Sequence, residues 1–235
     1  MVKVVLERLS VFFGEKRVLR DISLELREGI YLLIGRNGSG KTTLMKTIAK
    51  LIDDYDGEIY VNDRNIREYS RREIATLVGY VWQNPYYGFI EPRVIDEVTL
   101  ILKILKPKNY YGELIKELIN PDLFNRDPFT LSGGEAKRVS LASVLIIDQP
   151  IWLLDEPFDY LDLEAIYKLI GIIHKRKREK LVMISTTNTC YLNLIEPDKV
   201  ILLDRGEVKF FGELDMLKNI DLEVSGVVSR RLICG

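Results

Sequence analysis

The sequence predicts an α/β fold with a mostly parallel sheet, an N-terminal antiparallel β subdomain and a helical insertion. Three observations predict it. First, Ile30-Tyr31-Leu32-Leu33-Ile34, Ile151-Trp152-Leu153-Leu154 and Leu181-Val182-Met183-Ile184 are short apolar runs, the pattern of strands buried on both faces. Second, apolar residues at helical spacing follow the first two runs: Leu44, Met45, Ile48 and Leu51, then Leu163, Ile166, Leu169, Ile170 and Ile173. Third, residues 93–147 are helical in period with no strand-like run among them.

Residues 1–28 alternate instead. Val2, Val4 and Leu6 share a face, and Leu19, Ile22, Leu24 and Leu26 follow the Gly14-Glu15 turn. Phe12 and Phe13 precede that turn, either as core or as a flat platform for a base. Between the strand at 30–34 and its helix lies Gly35-Arg36-Asn37-Gly38-Ser39-Gly40-Lys41-Thr42, which fits G-x-x-x-x-G-K-[ST] throughout. Glycines let backbone N–H groups turn onto an anion, and the helix start adds partial positive charge. Lys41 would reach β- and γ-phosphates and the Thr42 hydroxyl would ligate Mg²⁺. Asp53, Asp54, Asp56 and Gly57 then mark a turn, Glu58–Val61 a strand and Asn62-Asp63 a tight turn. Leu77–Val81 reads as a strand ending at Trp82-Gln83-Asn84-Pro85.

In the helical stretch, Val94, Val98, Ile101, Leu102 and Leu105 form one helical face, Leu114, Ile115, Leu118 and Ile119 a second, and Val139, Ala142, Leu145 and Ile146 a third. Leu131-Ser132-Gly133-Gly134-Glu135 precedes the third helix. Ser132 and Glu135 have capping-box spacing. The two glycines exceed what a cap needs, and they leave bare N–H groups as a second anion site. Asp155-Glu156-Pro157 follows the strand at 151–154. Acids at the end of a buried strand need a counter-charge, which a Mg²⁺–nucleotide complex would supply. Glu156 would polarise the attacking water, as a weak base if its pKa stays near ~4.3. Val200–Leu203 and Val208–Phe211 flank a turn at Asp204-Arg205-Gly206-Glu207, a hairpin. Residues 220–235 lack a clear period and read as a tail.

Composition bounds the rest. The 235 residues are 47% hydrophobic and 29% charged with net charge −1, so no basic field invites nucleic acid. Two distant cysteines, Cys190 and Cys234, match no metal spacing and suit a reducing compartment. The early charges at Lys3, Glu7 and Arg8 do not suit a signal peptide. No apolar run approaches the ~20 residues that span a bilayer, so a membrane role requires a partner.

A strand, this loop, a helix and a later strand ending in acids make a P-loop NTPase core. With Leu131–Glu135 and Asp155–Pro157 in that order, the chain resembles the ATP-binding subunit of an ABC transporter over about residues 1–219, with a helical subdomain at about 86–147. That resemblance implies ATP and Mg²⁺ as cofactors. It places Phe13 against adenine, and Gly35, Arg36, Asn37, Gly38, Ser39, Gly40, Lys41, Thr42 and Thr43 around the phosphates. Thr42, Gln83 and Asp155 fall at the metal, Gln83 in a loop that also meets the membrane partner. Glu156 falls at the catalytic acid. The resemblance also implies a head-to-tail pair of cassettes, homodimer or heterodimer. In it Ser132, Gly133, Gly134 and Glu135 of one subunit cover the γ-phosphate held by the other, and Asp162 sits in the loop between subunits. Transmembrane permease subunits would be driven from the cytoplasmic face of the membrane, with the chain held peripherally. The chain departs from the family at Thr187, where a histidine usually contacts the γ-phosphate. Slow ATP turnover with intact binding is the expectation, and the single histidine, His174, is expected to pack or face solvent. The segments Val81–Pro85 and Glu91–Val98 are similar to the energising ATPases of vitamin and cobalt uptake. The competing reading is a soluble ABC-type ATPase acting as a nucleotide-dependent switch. The single cassette with a short insertion disfavours it.

Overall fold

The computed structural model describes residues 2–217, so the tail expected at 220–235 lies outside the described residues. The chain begins with β1 (Lys3–Phe13), β2 (Lys16–Arg27) and β3 (Gly29–Ile34), then α1 (Lys41–Ile48). There follow β4 (Asp56–Val61), β5 (Arg64–Asn65), α2 (Arg71–Leu77) and β6 (Val78–Val81). Three helices come next, α3 (Val94–Leu105), α4 (Glu113–Leu118) and α5 (Gly133–Leu145). The last section is β7 (Ile151–Asp155), α6 (Leu163–Arg176), β8 (Leu181–Thr186), α7 (Tyr191–Ile195), β9 (Lys199–Asp204), β10 (Glu207–Gly212) and α8 (Leu214–Leu217).

Two sheets form, as the sequence predicts. The antiparallel one has the order β2-β1-β4-β5, and the larger one β10-β9-β3-β8-β7-β6. In the larger sheet β9, β3, β8, β7 and β6 are parallel and β10 is an antiparallel edge. Strand side chains alternate between faces, and this sheet has a core on each. Leu33, Leu153 and Met183 join β1, β2 and α1 residues in one core. Leu32, Leu154, Val182 and Ile184 join α5 and α6 residues in the other. That double burial is why these strands read as unbroken apolar runs.

The parallel order puts the carboxyl ends of β3, β7 and β8 side by side, with Ile34 paired to Thr186 and Asp155 to Ser185. Loops leaving those ends meet at one place. The structure also corrects three local expectations. α1 stops at Ile48 and leaves Leu51 outside and exposed. Lys50 takes a left-handed φ of 55° there, and the Leu51 N–H returns to the Lys46 carbonyl. Leu77 closes a helix, α2, that hydrophobic periodicity does not reveal; Ser70 and Glu73 open it with a capping box. Asp56 and Gly57 belong to β4 rather than to a turn.

Candidate functional site

The loop between β3 and α1 forms one wall of a cleft of about 310 Å³. Asn37, Gly38, Ser39, Gly40, Lys41, Thr42 and Thr43 line it, with Phe13, Gln83 and Glu156 opposite. Gly40 adopts φ 110°, open to glycine without strain, immediately before the first helical residue. Gly35 and Arg36 do not line the cleft. A Cβ on Gly35 would stand 2.2 Å from the Leu203 carbonyl oxygen, so that glycine is needed for contact with β9. Arg36 pairs with Asp204 at 2.9 Å. Both shape the loop from outside its anion-facing wall. Of the two aromatic candidates, Phe13 borders the cleft, while Phe12 lies under the Arg17 guanidinium, 5.6 Å from its ring centre.

Inside the cleft the charged groups are close and dry. Lys41 Nζ donates to the Gly35 carbonyl at 2.8 Å and lies 3.6 Å from Glu156 Oε1. Burial lowers the Lys41 pKa, opposed by Glu156 and Asp155. Burial raises the Glu156 pKa, opposed by Lys41, with Asp159 adding to the rise. The sequence treats Glu156 as an ordinary weak carboxylate base; its surroundings make it a stronger one. Its backbone is held at φ 43°, and its N–H donates to Ser185 Oγ at 2.9 Å. A left-handed non-glycine residue persists only where its surroundings enforce it.

Asp155 is 0% exposed. Its Oδ2 accepts from Thr42 Oγ1 at 2.7 Å and Tyr80 OH at 2.9 Å, and its Oδ1 from Ser185 Oγ at 2.6 Å. All three donors are neutral hydroxyls. Among the described residues no cation pairs with it, and a buried carboxylate so placed suits a hard divalent ion. Thr42 Oγ1 and Asp155 Oδ2, already adjacent, could hold Mg²⁺ together with phosphate oxygens. Among the described residues no cluster of three or more His, Cys, Asp or Glu forms a dedicated metal cage. Sequence reasoning missed Tyr80 and Ser185. Ser185 directly follows the apolar run at 181–184, a weak signal; Tyr80 gave none.

Of the remaining predicted residues, Ser132, Gly133, Gly134, Glu135 and Asp162 do not line this cleft, while Thr187 touches its Glu156 wall. Ser132 accepts from the Glu135 N–H at 3.4 Å and its own N–H donates to Glu135 Oε2 at 2.8 Å, so the cap is real. Main-chain and hydroxyl donation from Ser132 lowers the Glu135 pKa. Gly133 and Gly134 open α5 beside Tyr160, whose ring a Cβ on Gly133 would approach to 2.9 Å. Asp162 caps α6 through the Ala165 N–H at 2.8 Å, with Arg138 3.8 Å from its other oxygen. Thr187 reaches Glu156 Oε2 through its main-chain N–H at 3.3 Å, a contact any residue but proline could make. His174 is partly buried, its Nε2 2.9 Å from the Ile195 carbonyl.

Comparison with known proteins decides what this arrangement is. The family model for ABC transporters matches residues 19–159. The chain belongs to the ABC transporter ATP-binding family. A Pyrococcus horikoshii protein named as an ABC transporter ATP-binding protein is 37% identical, over 93% of this chain and 86% of its own length. An energy-coupling factor transporter ATP-binding protein of Thermotoga maritima is 34% identical, over 93% and 85%. An ATP-binding cassette solved as a dimer with ADP and phosphate is 25% identical, with TM-score 0.78 over 90% of this chain and 98% of its own. The chain is thus an ABC ATPase subunit that binds ATP and whose hydrolysis drives transport through separate membrane subunits. Among the described residues no helix is long and apolar enough to cross a membrane.

Proposed function

We propose that the chain hydrolyses MgATP between two cassettes at the cytoplasmic face of a membrane, beneath a permease of the nutrient-uptake kind. One observation supports this most. Lys41, Gln83 and Glu156 share a cleft, while Ser132, Gly133 and Gly134, the second set of anion donors, do not line it. One chain carries two halves of a site, and the second half serves another subunit, either a copy or a different cassette.

In this reading Phe13 stacks on adenine and the Asn37–Thr43 loop takes the phosphates. Lys41 exchanges the Gly35 carbonyl for β- and γ-phosphate oxygens. Thr42, Asp155 and Gln83 would hold Mg²⁺, whose chemistry when bound would be neutralisation of charge on the phosphate oxygens. Glu156 orients and polarises water. Ser132, Gly133 and Gly134 of the facing subunit cover the γ-phosphate, with Glu135 and Asp162 holding that surface in shape. Thr187 offers a neutral donor where a cation would stabilise developing charge, so turnover is slow. An apolar groove of about 400 Å³, lined by Ile74, Trp82, Phe89, Ile90, Ile101 and Ile104, is suited to a helix of the membrane subunit. Ile90 is 75% exposed at its rim. The resemblance of Val81–Pro85 and Glu91–Val98 to the energising ATPases of vitamin and cobalt uptake supports the uptake assignment.

A single set of proteins tests this: wild type, Glu156→Gln and Thr187→His, compared for steady-state ATPase and for ATP-dependent dimerisation. Glu156→Gln is expected to lose turnover by ~100-fold or more and to dimerise with ATP, and Thr187→His to turn over faster. A monomeric Glu156→Gln in ATP rejects the two-cassette site. An unchanged or lower rate in Thr187→His rejects the account of Thr187.

A further inference from the structure

Lys137 lies one turn into α5, just past the glycines that open it. Its side chain is 0% exposed. Among the described residues no carboxylate comes within ion-pair distance of it. Its ammonium donates instead to two main-chain carbonyls, those of Trp82 and Gln83, each at 3.0 Å. Burying an ammonium without an ionic partner is costly. Burial pushes its pKa down to about 8, even though Asp159, Asp155 and Glu156 act at longer range to raise it. An apolar residue of the same length would fill the space at lower cost, so the location of the two carbonyls matters.

Those carbonyls belong to the loop that carries Gln83 into the nucleotide cleft. A second side chain ties the same two regions together. Tyr86 OH donates to the Leu131 carbonyl at 3.0 Å, immediately before Ser132. The loop is also fixed against α1 and β6. Trp82 lies under Lys46 of α1, 4.9 Å from its ring centre, and edge-on to Tyr80 at 5.0 Å. Tyr80 in turn donates to Asp155. Contacts therefore run without a gap from the buried acid at the cleft, through the Gln83 loop, to the start of α5.

Resting on the two-cassette reading above, we propose that Lys137 is a positioning residue. It locks the Gln83 backbone to α5, so that nucleotide meeting Gln83 in one cleft sets the orientation of the glycines that cover the other. Lys137 does not touch nucleotide and does not act on the reacting atoms. It makes the loop and the helix start move as one body, which would let each subunit's own ATP decide whether it can close on its partner's. Continuity of contact is not yet coupling, and the contact must be cut to show it.

Lys137→Met keeps the length of the side chain and removes its donors. Amide hydrogen exchange is measured on the full chain at concentrations where it is monomeric, with and without MgATP. In wild type, MgATP is expected to slow exchange in both segments 82–84 and 132–138. In Lys137→Met the response at 82–84 and the ATP affinity are expected to persist, while the response at 132–138 is lost. A response at 132–138 that survives in Lys137→Met, or is absent from wild type, overturns the proposal. Should Lys137→Met not fold, Lys137→Gln, too short to reach both carbonyls, gives the same decision by the same readout. Because exchange is read on the monomer, failure of Glu156→Gln to dimerise would overturn the two-cassette reading and would leave this contact to be judged by exchange alone.

Discussion

Ser70-Arg71-Arg72-Glu73 and Ser132-Gly133-Gly134-Glu135 begin α2 and α5 with the same device. In each, the serine N–H donates to the glutamate Oε2 at 2.8 Å and the serine hydroxyl accepts from the glutamate N–H, at 3.2 Å in α2 and 3.4 Å in α5. Between those residues the helices differ. α2 carries Arg71, paired with Asp53, and Arg72, which reaches the Leu105 carbonyl at 3.4 Å. Arg64 also holds Glu73, 3.2 Å away. The same turn of α5 has no side chains, and Tyr160 rests beside its backbone. The box satisfies two donors in both places. Only the missing side chains leave the remaining N–H groups of α5 approachable by an anion. Capping is therefore a shared structural function, and the glycines are what distinguish the helix start proposed to meet phosphate from an ordinary one.

Making α5 resemble α2 tests this distinction most severely. Gly134→Arg is expected to reduce steady-state ATPase by ~100-fold or more while ATP still binds the Asn37–Thr43 cleft; the reciprocal Arg72→Gly should leave turnover unchanged. Equal activity in Gly134→Arg would remove the functional difference between the two starts. A smaller effect comes from the shared part. Ser70→Ala and Ser132→Ala should each cost about 1 kcal/mol of stability in urea titrations, and only Ser132→Ala should also slow ATPase. Slowing in both would point to a global effect of stability.

The smallest effect concerns acid. The Ser70 backbone and hydroxyl and Arg64 lower the Glu73 pKa from 4.5 to about 2. A depressed carboxyl adds stability that is complete above its unfolded value and is lost as pH falls through its folded one. Glu73→Gln should therefore flatten the loss of stability between pH 4.5 and about 2. Glu135→Gln should act in the same direction, since Glu135 is also depressed. Urea midpoints at stepped pH decide it, and a wild-type slope in Glu73→Gln would show that the charge plays no part in the cap.

What could be read ahead of the structure was local. The loop from Gly35 to Thr42, the Ser132–Glu135 box and the Asp155-Glu156 pair are each written within a few residues, because backbone turns and helix starts are settled by near neighbours. The box at Ser70 had the same spacing and was legible, yet hydrophobic periodicity hid α2, whose buried face contributes Ile74 alone. Choosing Phe13 over Phe12 needed the pleat and the placement of β1 beside the cleft.

By itself, the sequence determined the α/β class, the two sheets, the phosphate loop and the order of the site motifs, all of which follow from short-range period and turn chemistry. Only the tertiary structure decided how those motifs are held. Tyr80 meets Asp155 from 75 residues away, Ser185 from 30, and Lys137 meets the Gln83 carbonyl from 54. It also decided that burial raises the Glu156 pKa and that a side chain at Gly35 would collide with β9. Hydrogen bonds and desolvation act over a few ångströms, and which distant residues come that close is set by the packing of strands and helices.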